Sequence, residues 1–564
     1  MKKWLIASRK KFSAGREVHK EIIKELLRLR GIRGKKAIDK FLNSDLKEVT
    51  WKNAGIEEKQ LLKASARIQK AFKEKEQMVV YTDYDVDGIT SGAIIWETIH
   101  DLGGKIMPFV PHRVTEGYGL SRSGIDKIIE QHHPKLILTV DHGISAIDEV
   151  EYAKKKGLDV IIIDHHLPPV KLPKASSIVH TTKLAAAGVC LMFAVFLYEQ
   201  ILGKERAEHK LETFLDLVTL ATIADLVPLT GMNRSLVKRG LETLKNSKRV
   251  GLQALIVSAG LEKGKIDTYS VSHYLAPRLN ATGRILHGLD SLRLICTRDR
   301  ERARELAEKI NTVNKDRQIL TDDHTAMALK TLNLELSVNG NLGKLIFVES
   351  QNYNQGIIGL IAGKLVEQYH RPAIVVSVGE ELCKASARSI AGVNIVELLR
   401  RTSKLLISVG GHPMAAGFTV RRGNLAQLKQ SLITLSQEVI LNKSMEETLA
   451  IDSVLDLSLV DHNLLACLES LSPFGIGNPQ PVFASFSAEV AGYSRLGKEQ
   501  KHLKLLVKQN SGFIEAIAFN FADLVPSLSP GVRLDLAFTV NRDSWKGRDN
   551  LILKLKDARV AATH

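Results

Sequence analysis

A chain of 564 residues is too long for one ordinary core, and roughly three or four domains are expected at the usual domain size. Apolar residues at 44% and charged residues at 25% fit a folded globular protein and exclude long disorder. The net charge of +17 favours a polyanionic partner, and residues 1–50 alone hold 15 Lys or Arg against 6 Asp or Glu. Cys190, Cys296, Cys383 and Cys467 lie far apart without a CxxC pair. That spacing excludes a disulfide framework and a thiolate zinc site, and it fits a reducing, cytoplasmic setting. The opening "MKKWLIASRKK" returns to charge too soon for a secretory segment. The longest uncharged run, Leu184 to Tyr198, is too short for a membrane span and reads as a buried helix, so no membrane partner is expected.

In chain order, residues 78 to about 165 alternate short apolar runs ("MVVYT", "IMPFV", "KLILTV", "DVIIID") with helix-like segments, the pattern of βαβ units around a buried parallel sheet. Residues from about 190 to 330 read as helical and end in the periodic, charged "RDRERARELAEKINTVNKDRQIL", a long connecting helix. A second α/β segment follows with "KLIFVES" and "PAIVVSV". From about 450, strands alternate with Gly, Pro, Asn and Ser turns ("FASFSAEVAGYSRLG", "HLKLLVKQN", "RLDLAFTVNRDSW", "LILKLKDARV"), an all-β module of barrel type.

The chemistry gathers where the apolar runs stop. "MVVYTDYDVDG" places Asp83, Asp85 and Asp87 together, "LILTVDHG" ends in Asp141 and His142, and "VIIIDHH" ends in Asp164, His165 and His166. A lone DxDxDG would be explained as a solvated acidic turn. In an open parallel sheet, however, functional groups collect at the carboxyl ends of the strands, so the strand ends aim at one crevice. Asp225, inside the apolar "VTLATIADLVPL", is a further acidic candidate, because a lone charge there is costly unless paired or metal-bound. Carboxylates with one or two imidazoles suit Mn²⁺ or Mg²⁺. Two such ions sharing a carboxylate would clamp a phosphoryl displacement and explain the crowded negative charge. Asp164 could instead orient its neighbours, and His142 reads as structural.

"DYDVDG", "VDHG", "DHH" and "ATIADLVPL", in this order and spacing, resemble the motifs of the DHH phosphoesterase superfamily, and the rest of the chain is similar to its RecJ branch of single-strand-specific 5′ to 3′ DNA exonucleases. "HRVTEGYGLS", "APRLNATGRI", "GGHPMAAGF", "SPFGIGNPQPVF" and "KHLKLLV" extend the similarity over nearly the whole chain. The resemblance implies that Asp83, Asp85, Asp87, Asp141, His165 and Asp225 surround two divalent ions, Mn²⁺ or Mg²⁺. Asp87 and Asp141 (the bridge) of that set, together with His166 facing the scissile phosphate, would carry the reaction. It implies substrate contacts by Arg113, Arg278, Asn280, Arg284, Ser386, Arg388, Ser389 and His412, with "CKASARSIAG" as a phosphate-binding loop. Here the chain departs from the family: Ala385 and Ala387 flank Ser386 where glycines are usual, and Tyr353 and Asn354 stand where a Trp-His pair is usual.

The expected fold class is α/β and multidomain: a basic helical segment (1–50), a DHH catalytic domain (51–290), a connecting helix (291–335), a DHH-associated domain (336–445) and an OB-like barrel (446–564). Phe486, Tyr493, Arg495, Lys498 and Lys504 are barrel candidates for stacking and phosphate tracking. The expected partner is single-stranded DNA, met by a monomer, with a helicase and a single-strand-binding protein as candidate protein partners. The competing functions are a DHH phosphodiesterase of short oligonucleotides or cyclic dinucleotides, which the barrel and basic amino terminus argue against, and an inactive replication scaffold, which would have no need of the carboxylates.

Overall fold

The computed structural model describes residues 2–13, 15–113, 116–510, 512–543 and 550–561. Ser544 and Trp545 of the expected strand "RLDLAFTVNRDSW" lie outside the described residues, as do Val114 and Thr115 of "HRVTEGYGLS". The chain divides into two compact units, one of residues 46–227 and 232–446, the other of residues 1–45, 228–231 and 447–564.

The first unit holds two sheets. The amino-terminal one is parallel and five-stranded, in the order Lys105–Phe109, Gln77–Tyr81, Leu136–Val140, Asp159–Asp164, Ser177–His180. The chain starts at Gln77–Tyr81, crosses to one side and then returns to the other, so a topological switch point falls beside that strand, where α/β sheets open their ligand crevice. Every residue of Leu136–Val140 is buried, as expected of a strand covered on both faces. Between the sheets runs the helix Arg300–Asn339, 40 residues long. It begins where the Asp299 carboxylate accepts the Glu301 and Arg302 N–H groups and stops at Gly340 in the left-handed conformation, φ 72°. These caps move the connecting helix past the expected 291–335, because the separate short helix Leu289–Cys296 precedes it.

The second sheet runs Leu406–His412, Ala415–Arg421, Leu382–Arg388, Ala373–Ser377, Ile346–Ser350. The segment expected to be a phosphate-binding loop is mostly a strand: Leu382–Arg388 pairs with a neighbour on each side. Its apolar alternate residues explain this. Cys383, Ala385 and Ala387 point into one core while Ser386 and Arg388 share the opposite face. Neither alanine has a positive φ, so the missing glycines leave the backbone unstrained.

The other unit contains a closed five-stranded barrel: Phe483–Leu496, His502–Gln509, Gly512–Ala518, Asn550–Val560 and Arg533–Asp543, the last pairing back to the first. The α/β multidomain class with a terminal barrel is thus the observed architecture. Residues 1–50 are not wholly helical, however. Lys3–Ser8 forms a strand that pairs in parallel with Thr448–Val454. Six residues with a half-exposed pattern carry no strong strand signal of their own, and their partner lies at the far end of the sequence. Phe486 and Tyr493 are partly exposed on this unit, and Lys504 is paired to Glu515 at 2.7 Å.

Candidate metal centre and phosphate cleft

Three strand ends and one helix end converge at the switch point. The turn after Gln77–Tyr81 is held by its own acids: Asp83 Oδ1 accepts the Tyr84 N–H at 2.7 Å, and Asp85 caps the helix Val86–Asp101 by accepting the Gly88 N–H at 3.1 Å. Gly88 is required here, since a Cβ would lie 2.6 Å from the Asp83 Cβ and 2.7 Å from its backbone. Gly88→Ala is therefore expected to lower stability by about 1–3 kcal/mol by overpacking and to weaken Mn²⁺ binding, measured by denaturant unfolding and calorimetry. The buried Asp87 accepts the Ala186 and Ala187 N–H groups at 2.8 and 2.7 Å, the open amino end of the largely apolar helix Ala186–Leu202.

Asp141 leaves its strand with φ 66°, a conformation an aspartate tolerates better than most residues, and the bend turns the buried carboxylate inward. His165 donates from Nδ1 to the Leu184 carbonyl at 3.1 Å. Its Nε2 therefore faces the acids, 3.2 Å from Asp141, 3.7 Å from Asp225 and 3.8 Å from Asp87. Among the described residues this buried nitrogen has no hydrogen-bond partner.

Asp164 does a different job. Its carboxylate accepts the backbone N–H groups of Ile144, His165 and His166 and the His166 Nδ1–H at 2.8 Å, tying two strand ends together. Burial opposes its charge, but these donors hold it far below the ordinary carboxylate range. Burial likewise opposes a charge on His166, yet the Asp164 bond raises it to about 9, so the ring is cationic at neutral pH. His142 donates Nε2–H to the Tyr81 carbonyl, and burial pushes it down to about 4. It is a neutral packing residue.

The sequence-derived ligand candidates all come together. Ligand atoms of Asp83, Asp85 and Asp141 lie within 4.8 Å of one another, as do those of Asp87, His165 and Asp225 and those of Asp141, His165 and His166. Burial first, then mutual repulsion, pushes Asp83 and Asp141 well above the usual carboxylate range. Desolvation in the cleft and the facing Asp87 and Asp85 charges raise Asp225 to about 8. Such a cluster is stable as carboxylates only with cations inside it. The oxygen-rich set with one orphaned imidazole fits divalent ions of the Mn²⁺ or Mg²⁺ kind.

Beside the acids lies a cleft of about 410 Å³ lined by Tyr84, Arg113, Tyr118, Gln355, Ser386 and Arg388 among others. The Arg113 guanidinium sits 5.1 Å over the Tyr84 ring, and Arg388 donates to Ser386 Oγ at 3.1 Å. The amino end of the helix Ile358–Tyr369 closes the cleft tightly, for a Cβ on Gly359 would come 3.0 Å from both Arg388 Nη2 and Ser386 Oγ. Arg284 reaches the Gly356 carbonyl, and burial together with the charges of Arg113, Arg317 and Arg388 lowers it to about 10. Desolvation and Arg113 also lower Arg388.

Of the expected substrate contacts, Arg278, Asn280, Arg284, Ser389 and His412 are not in the lining of this cleft. The Asn280 side-chain carbonyl accepts the Val86 N–H at 2.9 Å and so braces the acidic turn. Ser389 is buried and its hydroxyl donates to the Val393 carbonyl at 2.7 Å. Arg278 is bonded to Asn311 and the Tyr274 carbonyl. His412 stands exposed at a strand end and is absent from the cleft lining. The departure at residues 353 and 354 is accommodated by packing: Tyr353 is buried and its carbonyl accepts from Ser377, while His324 of the long helix meets the Asn354 N–H. Sequence reasoning missed Tyr118, whose hydroxyl lies 3.2 Å from His166 Nε2, although it stands within the quoted "HRVTEGYGLS". It also missed Lys384, which strand alternation from Ser386 would have found.

Fold and site together define a phosphoesterase of the DHH class: the DHH family, N-terminal domain, matches residues 77–222, the DHHA1 domain residues 342–438 and the RecJ OB domain residues 451–557. The single-stranded-DNA-specific exonuclease RecJ of Haemophilus influenzae is 30% identical over 94% of this chain and 95% of its own length. That of Bacillus subtilis is 34% identical over 90% of this chain, which spans 64% of that relative's length. The crystal structure of RecJ in complex with Mn²⁺ from Thermus thermophilus superposes with a TM-score of 0.80 at 27% identity, covering all of this chain and 80% of that one, and a Mg²⁺ complex from the same source gives 0.74. The chain belongs to the RecJ family.

Proposed function

We propose that this chain is a metal-dependent exonuclease that degrades single-stranded DNA from the 5′ end. The observation that carries the reading is the meeting of two opposite sites: a cleft holding Arg113 and Arg388, with no acidic lining residue among the described residues, directly beside the clustered carboxylates. Arg113, Ser386 and Arg388 bind the terminal phosphate, whose charge exceeds that of an internal diester. Asp83, Asp85, Asp87, Asp141, His165 and Asp225 hold the divalent ions, with Asp141 shared. Bound there, the ions supply an activated water and neutralise charge developing on the phosphate. His166 is kept protonated and oriented by Asp164, and its Nε2–H, facing Tyr118 in the free protein, donates to the scissile phosphate. Asn280 holds the turn that presents Asp85 and Asp87.

In this reading the residues 51–290 and 336–445 make the catalytic and phosphate-binding domains, residues 446–564 guide the strand, and a cytoplasmic monomer meets a helicase and a single-strand-binding protein on the same DNA. No described helix is long and apolar enough to cross a membrane. The test is digestion of 5′-labelled single strand, matched duplex and dinucleotide with and without chelator. Chelator-sensitive cutting confined to the single strand is expected, and equal turnover of the dinucleotide would point to the oligonucleotide phosphodiesterase instead. Binding should also weaken with salt, the log-log slope steepening by about 0.7 for each strand phosphate neutralised, as read by fluorescence anisotropy.

A further inference from the structure

The cleft does not end at the terminal-phosphate residues. On the strand Leu382–Arg388, alternation puts Lys384 on the same face as Ser386 and Arg388. Pairing sets Thr419 beside Lys384 and Gly417 beside Ser386, and one strand further Ser408 and Gly410 continue those rows. Lys384, Thr419 and Ser408 all line the same cleft. Among the described residues, Lys384 Nζ donates only to the neutral Thr419 hydroxyl, at 3.1 Å, and no Asp or Glu lines the cleft. Arg113, Arg388 and Ser386 already match a dianionic phosphate, so Lys384 is surplus positive charge.

Its position gives the direction. Gly359 lies against Arg388, while Gly356 just before it lies against Arg284, whose neighbour Gly283 packs on Tyr84 of the acidic turn, so Arg388 marks the metal-side end of the row and Lys384 the far end. The floor between is open at Gly417, where a Cβ would meet only the Ala385 carbonyl oxygen, at 3.7 Å. Two residues of strand advance about 6.7 Å, a step that one added diphosphate can span. An anion reaching Lys384 from the pocket therefore extends outward from the 5′ end, away from the scissile bond.

We propose that Lys384 and Thr419 form a subsite for the β- and γ-phosphates of 5′-triphosphorylated strands, so that the enzyme starts on such ends without prior removal of pyrophosphate. This rests on the terminal-phosphate reading of Arg113, Ser386 and Arg388. In the first turnover the oxygen of water bonds to phosphorus of the first internucleotide diester, the bond from that phosphorus to O3′ breaks, and O3′ takes a proton. A nucleoside 5′-triphosphate leaves with its anhydride bonds intact. The remaining strand carries a 5′-monophosphate, so later turnovers do not use the subsite.

The experiment compares matched single strands bearing a 5′-hydroxyl, monophosphate or triphosphate, with initial rates and the first product resolved by chromatography. Wild type is expected to cut the triphosphate strand within about threefold of the monophosphate strand and to release a nucleoside triphosphate first. Lys384→Ala should lose about tenfold or more on the triphosphate strand alone, and Lys384→Arg should restore most of it. If wild type prefers monophosphate to hydroxyl ends yet fails on triphosphate, or if Lys384→Ala slows both phosphorylated strands equally, the subsite is overturned. If wild type does not distinguish monophosphate from hydroxyl ends, the terminal-phosphate reading falls and the subsite with it.

Discussion

Asp141→Asn is expected to abolish cleavage at saturating Mn²⁺, by on the order of a thousandfold or more, equal to about 4 kcal/mol in the barrier. Asp141 clusters with Asp83 and Asp85 and lies 3.2 Å from His165 Nε2, which also faces Asp87 and Asp225, so its loss damages both halves of the centre, and excess metal cannot replace a shared ligand. Asparagine is the clean substitution because the residue sits at φ 66°, which Asn accepts and Ala does not. The sign of the stability change is informative. The buried Asp141 carboxylate is repelled by Asp87, Asp85 and Asp83, so removing its charge should leave the metal-free protein as stable as wild type or more so. The rise in Tm on adding Mn²⁺ should shrink sharply. Asp225→Asn gives the contrast: this more exposed residue belongs to one cluster, and high Mn²⁺ should rescue much of its activity. More than a tenth of wild-type turnover in Asp141→Asn would refute the shared-ligand assignment.

Arg388→Ala is expected to erase most of a preference for 5′-phosphorylated over 5′-hydroxyl single strands. A charge-assisted contact is worth about 1.5–3 kcal/mol, or roughly ten- to a hundredfold in the ratio of initial rates. The structure makes this a fair test, because Arg388 sits on a strand paired on both sides and its backbone does not depend on the side chain. Burial and the neighbouring Arg113 charge both disfavour the Arg388 guanidinium, so the variant should fold at least as well as wild type. Metal binding should be unchanged. An unaltered ratio would take Arg388 out of the pocket and leave the proposed polarity of digestion without a cause.

Much of this was legible in one dimension. The apolar runs ending in "DYDVDG", "VDHG" and "DHH" named a parallel sheet and its functional edge together, because a buried strand needs a continuous apolar stretch and its carboxyl end is where polar groups must emerge. Asp225 was readable for the opposite reason, a charge stranded in apolar surroundings. Asp164 was left open between ligand and orienter, and its four hydrogen-bond donors settle it as the residue that fixes His165 and His166.

Other assignments needed partners that sequence spacing does not reveal. Asn280 and Arg278 look alike as polar residues in a motif. Only the folded chain shows that one braces the Asp85–Asp87 turn and the other the long helix. Lys3–Ser8 could not be read as a strand, since its pattern is weak and Thr448–Val454 supplies the hydrogen bonds. The sequence by itself determined the local identities: which segments bury themselves and which side chains can bind metal or phosphate. Composition, periodicity and side-chain chemistry act over a few residues, so one dimension suffices for them. The tertiary structure alone decided which groups meet: that His165 Nε2 lacks a hydrogen-bond partner among the described residues, that Thr419 stands beside Lys384, and that the guanidinium cleft adjoins the carboxylates. Those are distances between residues far apart in the chain, fixed by sheet register and packing.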